Sequence, residues 1–402
     1  MPRRTARFAP ALTLGMSTER FLREHWQKKP LLVRAAMPEL RDPRTPEELA
    51  GLACEDGVES RIVRERGGAA PWEVTWGPHP ESRFAELPDR GWTLLVQELN
   101  RHVPEAALLL EPFSFVPNVR VDDVMVSYAA PGGSVGPHLD SYDVFLVQGM
   151  GKRRWMYNTR PTKGARFRKG LDLRILERSS WRPDADEVLE TGDLLYLPPG
   201  FAHHGVAVTP CLTYSIGFRA PSFGEMWKAF AAHVAAQYEK ESATLLADPE
   251  LSPAENPGAI PKALLERVRA AVRAQPRDDD DVDRFFASFA TRLAPGHDLT
   301  APRRAPSEAA VMQRLRRGDA VVRSEEGRWA FLPAPRPRGA LLLYVAGLEL
   351  EVPKDAAELA RALCAARRFG GHDLAKLAQS VAARALIVRL VGLGGLAFAG
   401  RA

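Results

Sequence analysis

Short apolar runs, separated by glycine and proline, fill the chain between residues 121 and 218. The clearest runs are residues 124–128, 144–147, 154–157, 194–197 and 212–216. Runs of four or five residues bounded by turn signals are typical of β-strands. Many short strands joined by turns predict a β-sandwich or a β-barrel for this part of the chain.

Two short helices are predicted before this region. Residues 17–26 have apolar residues on one helical face, and Ser17 or Thr18 can cap the first turn. Thr45 can cap the second helix, where Pro46 fits the first turn because that turn does not need its N–H group. The short apolar run between the two helices predicts a strand.

From residue 222 to residue 298 apolar residues recur with the period of a helix. The charged run at residues 277–281 interrupts this pattern and is typical of a solvated loop or of a helix start. A monomer would leave part of the apolar surface in water, so we expect a homodimer that buries it. The candidates for buried contacts are Trp227, Phe230 and Phe286.

The pattern changes again after a proline- and arginine-rich linker at residues 300–306. Ser307 can cap a helix that ends at Gly318, and short strands follow. Ala346-Gly347 between two apolar runs predicts a tight hairpin, and two further helices complete the pattern. Helices combined with a hairpin in about a hundred residues predict a winged-helix domain. Such domains often bind nucleic acid, but the fold alone does not decide whether this one contacts RNA.

The bulk composition narrows the class of protein. A chain of 402 residues is expected to form two or three domains. Its three cysteines are widely spaced and odd in number, which argues against a disulfide framework and favours the reducing cytoplasm. No apolar run has the length of a membrane span. The net charge of +5 is too small for this length to indicate nucleic-acid binding.

The strongest chemical signal is His138-Leu139-Asp140, followed much later by His203-His204. Side chains two residues apart on a strand face the same side, so His138 and Asp140 can bind one metal ion together. One of the two later histidines can supply a third ligand, and only one of them should point inward. Two imidazoles and one carboxylate on one face of the metal are the ligands of non-haem Fe(II) oxygenases.

Such an oxygenase needs an oxidisable co-substrate, and 2-oxoglutarate needs a cation for its far carboxylate. Lys152, Arg153 and Arg154 are the candidates, of which Arg153 or Arg154 should face inward because neighbours on a strand alternate. Ser127 and Tyr128 lie on an earlier strand, where a hydroxyl group could help to hold the co-substrate.

Two residues after the metal motif are candidates for contact with the substrate. Tyr142 offers an aromatic face, and Asp143 could pair with a cationic substrate. Both follow Asp140 directly, which places them near the predicted metal.

Several motifs resemble the bacterial Jumonji C (JmjC) ribosomal oxygenases. They are GSVGPHLDSYDVF at residues 133–145, QGMGKRRW at 148–155, GDLLYLPPGFAHHG at 192–205, YSIGFRAP at 214–221 and HWQKKP at 25–30. The motifs extend over most of the first 221 residues, and the remainder is similar in layout. Within the family, the chain most resembles the members that hydroxylate an arginine of a large-subunit ribosomal protein.

The resemblance implies a mixed β/α fold with a cupin-like double-stranded β-helix core, a helical dimerisation region and a C-terminal winged helix. The corresponding domains are residues 1–221, 222–299 and 300–402. It also implies Fe(II), 2-oxoglutarate and O2 as reactants and a homodimer as the assembly.

Carried over by position, the resemblance makes His138, Asp140 and His203 the iron ligands and Arg153 the partner of the 2-oxoglutarate carboxylate. His203 is preferred to His204 because the family ligand comes three residues after Pro-Pro-Gly. The chain differs from the family at His204, where an acidic residue is usual, and at Thr213, where a close relative would have Asn.

The expected function is hydroxylation of an arginine side chain in a ribosomal protein, coupled to oxidation of 2-oxoglutarate to succinate and CO2. One alternative is an oxygenase of the same fold that acts on another residue, such as a ribosomal histidine. The other is a non-enzymatic β-barrel and winged-helix binding protein. The complete set of His138, Asp140, His203 and Arg153 argues against the non-enzymatic alternative.

Overall fold

The first part of the protein contains two antiparallel sheets. The structure is a computed structural model that describes residues 9–66, 72–170, 174–177, 180–238, 261–273, 278–294, 296–333 and 341–399, and the statements below concern these residues. The strands are β1 (Leu31–Val33), β2 (Ser60–Glu65), β3 (Trp72–Trp76), β4 (Trp92–Val96), β5 (Val121–Ala129), β6 (Asp143–Gln148), β7 (Arg153–Tyr157), β8 (Ala185–Leu189), β9 (Leu194–Leu197), β10 (His203–Ala207) and β11 (Cys211–Phe218).

The order of the strands agrees with the predicted β-sandwich or barrel. The large sheet has the order β1-β9-β6-β11-β5-β4-β2-β3, and the small sheet has the order β10-β7-β8. Strands from distant parts of the chain are therefore neighbours, which brings the separate sequence motifs together. Two antiparallel sheets in this order agree with the cupin-like double-stranded β-helix that the resemblance implied.

Five short α-helices accompany these sheets: α1 (Thr18–Glu24), α2 (Pro46–Leu52), α3 (Ser82–Ala85), α4 (Leu99–His102) and α5 (Pro104–Ala107). The predicted caps are confirmed. The backbone N–H of Arg20 donates to Ser17 Oγ over 3.2 Å, and Thr45 forms a capping box with Glu48.

The large sheet is covered on both faces, and β6 shows this most clearly because all its residues are buried. Val144 and Leu146 face the small sheet and pack in one cluster with Trp155 of β7. Phe145 faces the opposite way and packs against Phe21 of α1, with ring centroids 5.6 Å apart. Alternation along the strand thus gives each face its own core.

Three helices follow the sheets: α6 (Phe223–Tyr238), α7 (Lys262–Arg273) and α8 (Asp279–Thr291). The predicted helical character is confirmed for these residues, whereas residues 239–260 and 274–277 lie outside the described ones. Asp278 caps α8 by accepting from Asp281 N over 2.8 Å, so the acidic run starts a helix. Ala287 of α8 packs with Leu342 and Tyr344, which places α8 against the C-terminal domain.

The C-terminal part has its own core and agrees with the predicted winged helix. Its elements are α9 (Glu308–Arg316), β12 (Val321–Arg323), β13 (Trp329–Pro333), β14 (Leu341–Val345), β15 (Leu348–Val352), α10 (Ala357–Ala365), β16 (Arg368–Phe369), α11 (Gly371–Leu377), α12 (Val381–Gly392) and β17 (Leu396–Phe398). Ser307 caps α9 as predicted. The hairpin turn has φ +53° at Ala346 and +78° at Gly347, the left-handed backbone that a two-residue type I′ turn requires.

Two predictions from composition can be compared with the structure. Cys54, Cys211 and Cys364 are all free thiols. Among the described residues, no helix combines the length and the apolar composition that a membrane crossing requires.

Candidate metal centre and co-substrate pocket

The two histidines of the predicted metal site are held side by side by the backbone. His138 N donates to His203 O over 3.0 Å, and His203 N donates to His138 O over 3.1 Å. Asp140 is fixed in a similar way, because Gly200 N donates to its carbonyl oxygen over 2.9 Å. The Pro-Pro-Gly turn therefore positions the carboxylate, and the bridge positions both imidazoles.

The turn just before His138 requires a glycine at position 136. Gly136 has φ +80°, and a Cβ atom there would lie 3.0 Å from the Trp72 ring and 3.2 Å from Ile175. A side chain would be strained in this conformation and also crowded. The glycine thus lets the chain turn sharply just before His138.

The potential ligand atoms of His138, Asp140 and His203 all lie within 4.8 Å of one another. His203 Nε2 is 3.4 Å from the Asp140 carboxylate, and His138 Nε2 is 4.0 Å from it. The Nδ1 atoms of the two histidines lie 2.9 Å from Gly136 O and 3.0 Å from Phe201 O. A carbonyl oxygen only accepts, so each Nδ1 carries the proton and each Nε2 presents its lone pair to the centre.

The protonation states suit a divalent metal ion. Burial, with the neighbouring His203, lowers the pKa of His138 to about 4, so the imidazole is neutral at neutral pH. Burial alone would raise the pKa of Asp140, but the two neighbouring histidines lower it to about 2, so this carboxylate is ionised at neutral pH. Two neutral imidazoles and one carboxylate are the donors that Fe(II) takes in oxygenases, so the residues present fit this ion.

His204 lies outside this centre. Its Nε2 is 2.8 Å from Ser134 Oγ, and its ring packs against Trp181 with centroids 5.9 Å apart. Neighbouring residues of β10 face opposite sides, so His203 points inward and His204 does not. The geometry agrees with the choice of His203 that the family resemblance implied.

Arg153 lies in the same cavity with a guanidinium that is almost wholly buried, at 2% exposure. It donates to Ser127 Oγ over 2.9 Å and stacks on Trp155 at 5.0 Å from the ring centroid. Among the described residues no carboxylate forms an ion pair with it, its Nε has no hydrogen-bond partner, and burial lowers its pKa. A buried cation without an anion is unfavourable unless a ligand supplies one, and the far carboxylate of 2-oxoglutarate fits this requirement.

The remaining candidate cations and hydroxyl groups differ in whether they line the cavity, because neighbouring residues on a strand face opposite sides. Arg154 hydrogen-bonds to Asp186 on the exposed face, and Lys152 pairs with Glu190 over 2.6 Å. Tyr128 packs against Trp92 and is not among the cavity residues. Of these candidates, only Arg153 and Ser127 line the cavity.

Two contributors to the Arg153 pocket had no predicted role. Thr213 Oγ1 lies 3.5 Å from the Arg153 guanidinium and donates to Gln148 Oε1 over 3.1 Å. A Cβ atom at Gly205 would lie 2.7 Å from Arg153 Nε, so only glycine leaves room for the guanidinium. The spacing of these residues along the chain did not reveal this arrangement, because it depends on the pairing of β10 with β7 and of β11 with β5 and β6.

The cavity around these groups has a volume of about 340 Å³. It is lined by Arg61, Leu95, Met125, Ser127, Val135, His138, Leu139, Asp140, Ser141, Tyr142, Val144, Leu146, Arg153, Trp155, Arg174, Ile175, His203, Thr213 and Ser215. This volume suits a small co-substrate together with one side chain of a larger substrate.

The two predicted substrate residues have different positions. Tyr142 lines the cavity, and its hydroxyl is close enough to Asp140 to lower the pKa of that carboxyl. Asp143 is buried on the opposite face, where it accepts from the Tyr196 hydroxyl over 2.6 Å and from Gln27 Nε2 over 2.9 Å. The prediction that Asp143 pairs with a cationic substrate was wrong, because the strand turns its carboxylate into the core.

A different carboxylate, that of Asp123, was not identified from the sequence. Asp123 precedes Met125 and Ser127 by two and four residues on β5, and side chains at this spacing share a face. Met125 and Ser127 line the cavity, so Asp123 lies at one end of the same face. The two-residue alternation of β5 was the signal in the sequence that could have found it.

Two known protein families match separate parts of the chain. The family described as "JmjC domain" matches residues 108–226, and the family described as "ROXA-like winged helix" matches residues 271–397. The ribosomal protein uL16 3-hydroxylase of Escherichia coli is 35% identical over 312 residues, which are 75% of this chain and 79% of that protein.

Two solved structures are similar to nearly the whole chain. The X-ray structure of E. coli YcfD has a TM-score of 0.80 and 29% identity, and the match covers 97% of this chain and 100% of that one. The structure of YcfD, a ribosomal oxygenase, in complex with cobalt and 2-oxoglutarate has a TM-score of 0.76, 30% identity and the same coverage. By fold, sequence and site chemistry, the chain belongs to the JmjC ribosomal oxygenases and is an Fe(II)- and 2-oxoglutarate-dependent dioxygenase.

Proposed function

We propose that the protein hydroxylates an arginine side chain of a large-subunit ribosomal protein, with uL16 as the candidate target because the similar E. coli enzyme is named for it. The observation that carries this proposal is Asp123. Its carboxylate accepts from Gln97 Nε2 over 3.1 Å and from Glu98 N over 3.0 Å. Among the described residues no cationic group lies within ion-pair distance of it.

The environment of Asp123 makes a cationic partner favourable. Burial raises the pKa of this carboxyl to about 7, and the charges of Asp122, Glu98 and Glu59 act in the same direction. A substrate guanidinium would stabilise the negative charge of Asp123, because it stays charged at every accessible pH and can donate two parallel hydrogen bonds. A histidine substrate satisfies the site less well, since its imidazole is largely neutral at neutral pH.

The remaining residues then have distinct tasks. We propose that His138, Asp140 and His203 bind the Fe(II), and that Arg153 and Ser127 hold the far carboxylate of 2-oxoglutarate. When bound, the iron and 2-oxoglutarate supply the oxidation of a C–H bond. Asp123 orients the substrate guanidinium, and Met125 and Tyr142 form the walls between the two ends.

We also propose that the protein acts as a homodimer in the cytoplasm. Phe223 and Trp227 lie one turn apart on α6 and are 80% and 67% exposed in the single chain. Large adjacent apolar side chains in water are typical of an interface. The cytoplasm is proposed because ribosomal proteins are the substrates of similar enzymes.

Asp140→Ala should abolish both metal binding and 2-oxoglutarate turnover while the fold remains. The expected loss of Fe(II) affinity exceeds the roughly 10- to 100-fold loss typical of changes to the groups around a metal's ligands. Calorimetry with Mn(II) in place of iron measures binding without turnover. His203→Ala should have the same effect, and the matched variant His204→Ala should retain metal binding. Metal binding lost in His204→Ala and kept in His203→Ala would reverse the assignment.

Arg153→Ala should raise the KM for 2-oxoglutarate, because the far carboxylate then lies buried without a cation. The expected cost is about 2–5 kcal/mol, part of which is the penalty for the unpaired carboxylate. Turnover of 2-oxoglutarate without protein substrate measures this constant directly. The exposed Arg154→Ala is the control and should leave it unchanged. An unaltered KM in Arg153→Ala would assign the carboxylate to another group.

Asp123→Asn should raise the KM for the protein substrate roughly tenfold or more, equivalent to about 1.4 kcal/mol, and leave the KM for 2-oxoglutarate unchanged. In the unmodified enzyme kcat/KM for the substrate should rise as the pH increases through about 7, because the carboxyl loses its proton there. The variant should lack this dependence. Asp186→Asn, on the exposed face, is the control. A substrate KM that Asp123→Asn does not change excludes Asp123 as the guanidinium partner.

Trp227→Asp should shift the protein from dimer to monomer, because a charge on the exposed face of α6 cannot be buried without a partner. Light scattering at micromolar concentration measures the state. Val381→Asp introduces the same charge at an exposed apolar residue of α12 and should leave the dimer intact. A protein that is monomeric before substitution contradicts the proposed assembly.

A further inference from the structure

Strand β5 carries a bulge at the substrate end of the cavity. Val124 pairs with Ile216 and Val121 pairs with Phe218, so Asp122 and Asp123 together lie opposite Gly217 alone. A Cβ atom at Gly217 would lie 3.4 Å from both Asp122 Cβ and Asp123 Oδ1. The bulge therefore turns two adjacent carboxylates toward the same side, where like charges repel.

The cation that compensates Asp122 comes from the C-terminal domain. Arg328 precedes β13, and its guanidinium lies 3.3 Å from Asp122 Oδ1 and 3.3 Å from Ala290 O. Its Nε also donates to the carbonyl oxygen of Val121, the first residue of β5. One arginine thus binds the backbone at the start of β5 and the first carboxylate of the bulge.

The turn that carries Arg328 is itself fixed on both sides. We call residues 324–329 the docking turn. Asn118 Nδ2 donates to Trp329 O over 3.1 Å, and Arg101 donates to Glu326 over 2.9 Å. Arg101 also pairs with Glu98 over 2.6 Å, and the backbone N–H of Glu98 donates to Asp123. The docking turn therefore reaches the two carboxylates by two routes, directly through Arg328 and indirectly through Arg101.

We propose that the winged-helix domain completes the substrate site, with Arg328 as a positioning residue that neutralises Asp122 and fixes the bulge so that Asp123 is left to bind the substrate cation. This inference rests on the role of Asp123 in the proposed function. It gives the C-terminal domain a task in catalysis that does not require nucleic acid. Arg328 does not touch the substrate and acts only through β5.

The charges around Asp123 support this arrangement. The charges that act on it include those of Asp122 on its own strand, Glu98 before α4 and Glu59 before β2, and its own charge acts on Arg328 of the docking turn. Burial raises the pKa of Asp122, and the guanidiniums of Arg328 and Arg219 oppose that rise. Removing the Arg328 charge would leave two carboxylates that compete for one proton.

The test uses the full-length enzyme and compares Arg328→Gln with Arg328→Lys. Arg328→Gln should raise the substrate KM roughly tenfold and leave the KM for 2-oxoglutarate, measured without protein substrate, unchanged. The pH at which kcat/KM rises should move upward, because the carboxyl beside an uncompensated Asp122 holds its proton more tightly. Arg328→Lys should restore most of both properties. Arg361→Gln changes an exposed arginine of the same domain whose guanidinium lies over the Phe331 ring, and it is the control.

A purely structural role for Arg328 would lower the melting temperature and leave the substrate KM and the pH profile of the remaining folded enzyme unchanged. That result, or a fall in KM, overturns the inference. If Arg328→Gln does not fold, the test uses Arg328→Lys alone. A positioning role then predicts a small shift in the pH profile of kcat/KM, and a purely structural role predicts no shift. If Asp123→Asn itself leaves the KM unchanged, the proposed function fails and not merely this inference. If Asp123→Asn raises the KM and Arg328→Gln does not, only the inference fails.

Discussion

The backbones of His138 and His203 exchange two hydrogen bonds, and the geometry of the site depends on this exchange. It joins two segments that are far apart in the chain and sets their imidazole centroids 4.2 Å apart. The carbonyl oxygens of Gly136 and Phe201 then fix both rings through Nδ1. With Asp140 held by Gly200, the fold itself orients all three candidate ligands. Such preorganisation is what a catalytic metal site requires of its protein.

Two groups of opposite charge lie in or beside the cavity, and neither has an ion-pair partner among the described residues. Arg153 is buried at one end, and Asp123 lies partly buried at the other end of the same β5 face. Each destabilises the empty protein, because a charge removed from water needs a partner. In the proposed function they match the carboxylate of 2-oxoglutarate and the guanidinium of an arginine. Charges left unpaired in a cleft are typical of functional sites, and the proposal assigns each of these two charges a ligand of the opposite sign.

The sequence was sufficient to predict the class of fold and the candidate metal ligands that the structure brings together. His138 and Asp140 lie in one short motif. Strand alternation required one of His203 and His204, and one of Arg153 and Arg154, to face inward, and the family resemblance selected His203 and Arg153. The same rule should have warned against naming both Tyr142 and Asp143, since neighbours on a strand seldom face one cavity. Asp143 instead bonds with Tyr196 in the core.

The alternation of β5 could have indicated the face on which Asp123 lies, but the contacts around Asp123 could not be predicted from the sequence. Asp122 and Asp123 share a side only because a bulge interrupts the alternation of β5 opposite Gly217. Arg328 reaches Asp122 from a domain that begins more than a hundred residues later. Contacts of this kind depend on how the domains pack together, and no local pattern in either segment indicates them.

The central claim is that this site oxidises an arginine of a large-subunit ribosomal protein. Mass spectrometry of ribosomal proteins tests it most directly, in cells that express either the unmodified chain or the Asp140→Ala variant in place of their own enzyme. The account predicts one arginine, in one large-subunit protein, that carries an added oxygen atom only when the unmodified chain is present. An added oxygen on a histidine instead, or identical spectra from the two cell lines, would contradict it.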